Sequence, residues 1–395
     1  MNDYFMKKIP ISLLLILSSR LFGQSEEQQQ ILEKTIEKYQ SHRSVSYDIT
    51  YEMKYFDDEK PNTVTSHVDM LKSETDSVFK GFFVYDKKDS FSNEIKYYKP
   101  TDLFVIDLNK EVVIKFDAAK KQTAPITGKM DGSVLKIYFL EIDKLQRKLK
   151  NPLNKWSCSD TAGYLKVNIN YPDDEDYYGR EEAIYIDRKT KTITQITYLA
   201  RYKDQVQRSQ SLISNLTFDH LNEVSLEKRT EHYLQTFKVQ NYQPLTKEDY
   251  KLLENGTVAP KINGTIFPNY DDTIELSVGK VMILDFWFTT CMPCIKAIPD
   301  LNRLKQKYKD KIEIIGINPF ENQLRHQAKI EQFLQRTPMD YPILLVNEVP
   351  EEYNIQGFPT LYVIDQHGKV RFSSMGLLEN TYEELGKVLE QITNN

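Results

Sequence analysis

Cysteine is nearly absent from this chain: three residues in 395, two of them, Cys291 and Cys294, only three positions apart. That count excludes a disulfide-stapled scaffold, which needs several bridges. A bridge closing so short a loop restrains the unfolded chain little, so the pair points to chemistry rather than cross-linking. Basic excess is missing too. With 52 Lys and Arg against 57 Asp and Glu, the formal charge is -5, which removes any generic case for neutralising nucleic-acid phosphates. There is no Gly-rich phosphate loop, no pair of metal-binding histidines at helical spacing and no serine nucleophile elbow. No apolar run reaches the ~20 residues of a membrane-crossing helix.

What is present describes a soluble globular chain, with 40% hydrophobic and 28% charged residues. At roughly 150 residues per domain the length suggests two or three domains, and two is the working number. The first residues stand apart. Lys7 and Lys8 precede an apolar run from Ile9 to Leu17, then Ser18, Ser19 and Gly23. Residues 1–23 are therefore predicted to be a signal peptide, which implies export, to a periplasmic location. An uncleaved anchor is the weaker alternative, because the run is about half the ~20 residues needed. Arg20 blurs the cleavage position.

Residues 24–242 are expected to form an α+β domain around a large antiparallel sheet. A helix is predicted from Glu26 to Gln40, where Ile31, Leu32, Ile36 and Tyr39 recur at helical spacing. Val45, Tyr47, Ile49, Tyr51, Met53 and Tyr55 then alternate with polar residues, the pattern of a half-buried strand. Similar alternation returns at Leu165–Tyr171 and Ile196–Tyr202, with less regular strands near Phe82–Tyr85, Leu103–Asp107 and Val112–Phe116. One helix, Val134 to Leu149, is expected to cover a sheet face. Its basic residues Lys144, Arg147, Lys148 and Lys150 read as a solvated side, with anionic lipid or a partner as the alternative.

Pro244, Asn255-Gly256 and Pro260 punctuate a stretch where alternation stops, so 243–255 is assigned as linker. Eight of the 14 glycines lie from Gly256 onward, which supports that cut. Residues 256–395 alternate strand and helix types, the mark of an α/β layer fold. Val281 to Phe288 is an apolar run broken only by Asp285, as in a strand buried on both faces. A helix follows from the cysteines, with a kink predicted at Pro299. Strands are expected at Ile312–Ile317 and Leu361–Ile364, a helix around Ile330–Leu334, a turn at Asp365–Gly368 and a last helix from Tyr382 to Ile392.

Two Cys separated by two residues suit thiol–disulfide exchange, in which one thiolate attacks a disulfide sulfur and a second releases the mixed disulfide. At a helix N-terminus the first thiol meets the helix dipole and unpaired N–H groups, which lower its pKa. Cys291 is therefore the predicted nucleophile and Cys294, one turn deeper, the resolving thiol. Pro293 suits the first helical turn because it has no N–H to leave unpaired. Half of a zinc site has the same spacing, but Cys158, His326 and His367 form no second close pair, so no metal is assigned.

Asp285-Phe-Trp-Phe-Thr-Thr-Cys-Met-Pro-Cys294 resembles the thioredoxin active-site segment, and Gly357-Phe-Pro-Thr360 resembles its cis-proline loop. Val258-Ala-Pro260 and Gly368-Lys-Val370 narrow the resemblance to the TlpA/ResA-type exported thiol–disulfide oxidoreductases, over about Gly256 to Asn395. The resemblance implies a thioredoxin-like domain reducing protein disulfides with no cofactor, fed by an upstream membrane electron donor. It makes Asp285 the buried acid exchanging a proton with Cys294, and Pro359 a cis-proline. Trp287, Met292, Pro293, Phe358 and Pro359 become candidate substrate-binding residues. Core packing is an equal account of Trp287, and a surface role is the simpler account of Lys296. Thr290 departs from the family, which usually has Trp before the first Cys.

The first domain resembles the LolA-type lipoprotein carriers in general plan, with Tyr185–Thr190 and Ile193–Tyr202 similar to their late strand pair. That implies a lipid or lipoprotein ligand, and an alternative function as a binding protein with an accessory thioredoxin-like domain. Cys158 is expected to be inert, and the acidic run Asp173–Asp176 a solvated turn.

Overall fold

The computed structural model describes residues 25–393 except 56–59, 89–91, 128–132, 136, 203–204, 245, 247–248, 270–272 and 276–278. The predicted signal peptide lies outside the described residues. Packing divides the chain into two units, one reaching Tyr242 and one starting at Gln243.

The first unit is organised by one sheet. Its strands are β1 (Ser44–Lys54), β2 (Asn62–Lys72), β3 (Gly81–Lys88), β4 (Asn93–Lys99), β5 (Asp102–Asp107), β6 (Val112–Asp117), β7 (Lys155–Thr161), β8 (Tyr164–Asn170), β9 (Tyr178–Asp187), β10 (Ile193–Tyr202), β11 (Gln205–Phe218) and β12 (Lys238–Asn241). They lie in the order β12-β6-β5-β4-β3-β2-β1-β11-β10-β9-β8-β7, with β12 and β6 parallel and β1 antiparallel to both β2 and β11. Its helices are α1 (Glu26–Ser41), α2 (Ala124–Thr127), α3 (Ile142–Lys150) and α4 (Glu223–Thr236).

Local chemistry explains the ends. Ser25 caps α1: its hydroxyl accepts from the Gln28 N–H at 3.2 Å while Gln28 Oε1 accepts from the Ser25 N–H at 3.1 Å. The helix then buries Ile31, Leu32, Ile36 and Tyr39 in the same core as Tyr47 and Ile49 of β1. Burial is not one-sided everywhere. Val84, Tyr97, Phe104 and Val113 form a second core with Leu226 of α4, so β3 to β6 are covered on both faces. That is why their sequences alternate less cleanly than β1.

The helix expected from Val134 starts only at Ile142. Tyr138 adopts φ +65°, a left-handed conformation that ends any helical run, and its hydroxyl donates to Glu182. Leu135 and Phe139 pack into the core from irregular backbone instead.

In the second unit the strands are β13 (Asn263–Ile266), β14 (Thr273–Glu275), β15 (Val281–Phe286), β16 (Ile312–Asn318), β17 (Ile343–Leu345), β18 (Thr360–Ile364) and β19 (Val370–Met375). The order is β14-β13-β17-β16-β15-β18-β19, with β15, β16 and β17 parallel and β18 and β19 antiparallel. Helices α5 (Met292–Tyr308), α6 (Gln327–Arg336) and α7 (Thr381–Thr393) complete it. Every residue of β15 is buried. Val281 and Ile283 share a core with Leu301 and Leu304 of α5 and Leu385 and Leu389 of α7, while Met282, Leu284 and Phe286 face Tyr353 and Tyr362. Helix α5 runs through Pro299 without interruption.

Candidate active site

Strand β15 ends at Phe286, and five residues later Cys291 serves as the N-cap of α5. Its Sγ accepts from the Cys294 N–H at 3.2 Å, and its own N–H donates to the Phe288 carbonyl at 3.1 Å. Cys291 and Cys294 are joined as a disulfide with Cα atoms 5.2 Å apart. Both are buried, Cys294 more completely. The N-cap position aims the first unpaired N–H groups of α5 at sulfur, where they stabilise a thiolate once the bridge is reduced.

Asp285 continues the row Val281–Ile283 by strand alternation, on the side of the sheet that carries α5. It is 1% exposed. Tyr341 Oη donates to its Oδ2 at 3.0 Å, and Oδ1 has no hydrogen-bond partner among the described residues. Burial pushes its pKa up from 3.8 to about 7, with the Tyr341 hydrogen bond pulling slightly the other way. A carboxyl held this way can keep or release a proton near neutral pH.

The Phe358–Pro359 bond is cis, and Pro359 begins the approach to β18. Phe358 packs edge-on against Phe288 at 5.3 Å between ring centroids, and Phe320 sits 5.4 Å from Phe288 and is 57% exposed. Met292 and Pro293 are accessible, and so is Lys296 on the outer side of α5. Of the two accounts of Trp287, its burial favours core packing. It is 0% exposed, its ring 5.0 Å from that of Phe333 and tilted 31° to it, and it lies so close to Gly316 that a Cβ there would come within 2.7 Å of its Nε1. No substrate can reach it, and its indole belongs to the core.

Sequence reading missed a second buried carboxylate. Glu321 Oε2 accepts from the Thr289 N–H at 3.0 Å and from Asn318 Nδ2 at 2.8 Å, its Oε1 accepts from the Thr289 hydroxyl, and Lys329 Nζ lies 2.9 Å from Oε1. Burial alone would raise its pKa, but Lys329 and these donors outweigh it and hold the carboxylate below its ordinary range. The network ties the Thr289 turn, two residues before Cys291, to the loop after β16. Nothing in the spacing of residues 289, 318, 321 and 329 announces it.

Glu321→Ala should destabilise the protein by about 3 kcal/mol in urea unfolding at pH 7, because Thr289, Asn318 and Lys329 lose their shared acceptor. The folded pKa is lowered, so the contribution is present above the ordinary value of 4.5 and is lost as pH falls through the folded value. An equal deficit at neutral and strongly acid pH would contradict that account.

A family model described as thioredoxin-like matches residues 279–370, the segment that carries the cysteine pair and the cis-proline. The thiol–disulfide oxidoreductase ResA of Bacillus thuringiensis subsp. konkukian is 32% identical over 151 residues, covering 38% of this chain and 83% of that protein. The chain belongs to the ResA family of thiol–disulfide oxidoreductases. Its C-terminal region has the thioredoxin-like fold, and the chain is a protein disulfide oxidoreductase. ResA of Geobacillus kaustophilus is 31% identical over 140 residues, covering 35% of this chain and 77% of the relative. The thioredoxin-like protein YneN of Bacillus subtilis is 25% identical over 150 residues, covering 38% and 86%. The crystal structure of a putative thiol:disulfide interchange protein DsbE from Chlorobium tepidum is 25% identical, covers 36% of this chain and 99% of that one, and gives a TM-score of 0.32. Among the described residues of this ResA-family chain, no helix is long and apolar enough to cross a membrane.

Proposed function

We propose that this ResA-family protein is exported and reduces disulfides of other exported proteins, with residues 24–242 selecting the substrate or partner. The Cys291 thiolate attacks one sulfur of a substrate disulfide, and the other substrate sulfur leaves as a thiolate that is protonated by solvent. Asp285 takes the proton of Cys294, whose thiolate attacks Cys291 Sγ. The second substrate thiolate departs, and two electrons have passed from the pair to the substrate, leaving the Cys291–Cys294 disulfide. A membrane dithiol donor restores the reduced pair. Pro359 and Phe358 line the route by which the substrate strand approaches, with Met292 and Pro293 on its other side.

The observation that carries this reading is a buried carboxyl on the α5 side of β15 with one oxygen unpaired among the described residues, its pKa pushed up to about 7 by burial. Such a group suits proton exchange with a buried thiol and is costly otherwise. Cys294→Ala should trap substrates as mixed disulfides through Cys291, released by dithiothreitol and identified by mass spectrometry. Iodoacetamide labelling of reduced Cys291 should titrate well below the ~8.5 of a free thiol. Failure to trap, together with a labelling pKa at or above that value, would reject the nucleophile assignment.

A further inference from the structure

Asp285 lies on a central strand, and the hydroxyl that bonds it comes from two strands away. Tyr341 stands just before β17, and β16 separates β17 from β15. To bring its Oη within 3.0 Å of Asp285 Oδ2, the Tyr341 side chain must cross over β16. The residue of β16 in register beside Asp285, on the same face of the sheet, is Gly316, and its N–H donates to the Pro342 carbonyl at 3.0 Å. A Cβ at 316 would come within 2.9 Å of Met339 Cε. The glycine leaves room on this face for the side chains that arrive from Met339 and Tyr341.

The delivery is fixed by the helix that the cysteines begin. Asn302 of α5 brackets the segment before Tyr341: its Nδ2 donates to the Pro338 carbonyl at 2.8 Å, and its Oδ1 accepts from the Asp340 N–H at 2.9 Å. Gln306, one turn further along, donates to Asp340 Oδ2 at 2.9 Å. Cys294 and Tyr341 are thereby held to one helix.

Among the described residues, no other group donates to the Asp285 carboxyl. Its register partner on β18 is Leu361. Helix α5 contributes the titratable Cys294 and Tyr308, and the Tyr308 hydroxyl donates to the Gly386 carbonyl at 3.2 Å instead. Asp340 is exposed, and Trp287 Nε1, beside Gly316, has no acceptor among the described residues. Burial first, and then the neighbouring carboxylate, hold the Tyr341 proton far above its ordinary range. This hydroxyl therefore stays a donor and takes no part of the proton traffic itself.

We propose that Tyr341 is a positioning residue of thiol–disulfide exchange, holding Oδ2 of Asp285 and so leaving Oδ1 as the oxygen that trades a proton with Cys294. The role presupposes that Asp285 accepts that proton, as proposed above. The Cys294 S–H bond breaks as the Asp285 Oδ1–H bond forms, and the Cys294 thiolate attacks Cys291 Sγ. The proton returns to Cys294 when a donor dithiol reduces the pair again. Because a donated hydrogen bond stabilises the ionised carboxyl, Tyr341 also sets the pH at which Asp285 becomes a base.

The test mixes the reduced full chain with a smaller amount of dithiobis(nitrobenzoate) and follows the two releases of coloured thiolate. The first reports attack by Cys291, and the second reports attack by Cys294 on the mixed disulfide. Tyr341→Phe keeps the ring and removes the donor. Its second release should be about 10-fold slower than wild type at pH 6, about 5-fold slower at pH 7 and near parity at pH 9, a midpoint raised by about one unit. Its first release should keep the wild-type rate and pH profile. Asp285→Asn should slow the second release and remove its midpoint near pH 7, and adding Tyr341→Phe to that variant should change the rate by less than about 2-fold. Slowing of both releases by one factor at every pH would make the hydroxyl merely structural and overturn the proposal. So would an unshifted midpoint in Tyr341→Phe beside a lost one in Asp285→Asn. A wild-type midpoint in Asp285→Asn would reject the acceptor role of Asp285, and the role of Tyr341 with it.

Discussion

Replacing Cys291 by serine is expected to bring insulin-disulfide reduction down to the uncatalysed background, a loss of about three orders of magnitude or more. The serine hydroxyl stays protonated at neutral pH and cannot form a mixed disulfide, so the first covalent step disappears. The fold should survive the change. Serine is a favoured N-cap and takes over the bond that Cys291 Sγ now accepts from the Cys294 N–H. The lost bridge closes only a few residues and contributes at most ~2 kcal/mol. Comparison with the reduced wild-type protein therefore isolates chemistry from stability. Turnover above background in Cys291→Ser would move the nucleophile to another thiol.

Asp285→Asn should move stability and catalysis in opposite directions. The folded pKa is raised, from 3.8 to about 7, so between those values the unfolded chain has released a proton that the folded chain still holds. Stability from this group is full below the unfolded value and is lost as pH rises through the folded value. Above pH 7 the wild type bears a cost on the order of 4 kcal/mol for a buried charge with one hydrogen bond. Asparagine keeps the shape and an acceptor for Tyr341 but carries no charge. The variant should therefore unfold at higher urea concentration than wild type at pH 8, with the gap closing near pH 4. On the proposed role of Asp285 as the base for Cys294, exchange should slow by about 10²-fold, and the rise in rate expected near pH 7 in the wild type should shift toward the ordinary thiol range. Parallel stability curves from pH 4 to 8 would show that Asp285 bears no raised pKa.

The two carboxylates of the second unit were legible to different degrees. Asp285 interrupts an otherwise apolar run, so a buried charge on a central strand is visible in the chain itself. Glu321 sits in an ordinary polar loop, and only the fold brings Thr289, Asn318 and Lys329 around it. Tyr341 is equally silent: 56 residues separate it from the oxygen it bonds. Trp287 shows the converse. Its place beside the motif left a substrate surface and core packing equally open, and only the fold, which sets it against Phe333 and Gly316, favours the core.

In the first unit, β1 and α1 could be read directly because one face of each is buried, which stamps a period of two or 3.6 on the residues. Helix α4 went unread, since only Leu226 and Thr230 of its residues are buried and its apolar stripe is narrow. The segment before α3 has helical spacing that the backbone ignores. Tyr138 is drawn out of the run where its hydroxyl meets Glu182, a residue 44 positions away.

By itself the chain determined the chemistry of exchange: two cysteines at helix-start spacing, a lone Asp in a buried strand and a Phe-Pro pair that matches a known loop. Those are local facts, carried by neighbours in sequence and by hydrophobic period. Tertiary structure alone decided which carboxylate braces the Cys291 turn, that Trp287 is core, and that β11 turns Gln207, Ser209 and Ser211 toward a cavity. Each depends on desolvation and on contacts between residues far apart in the chain, and neither leaves a period to read.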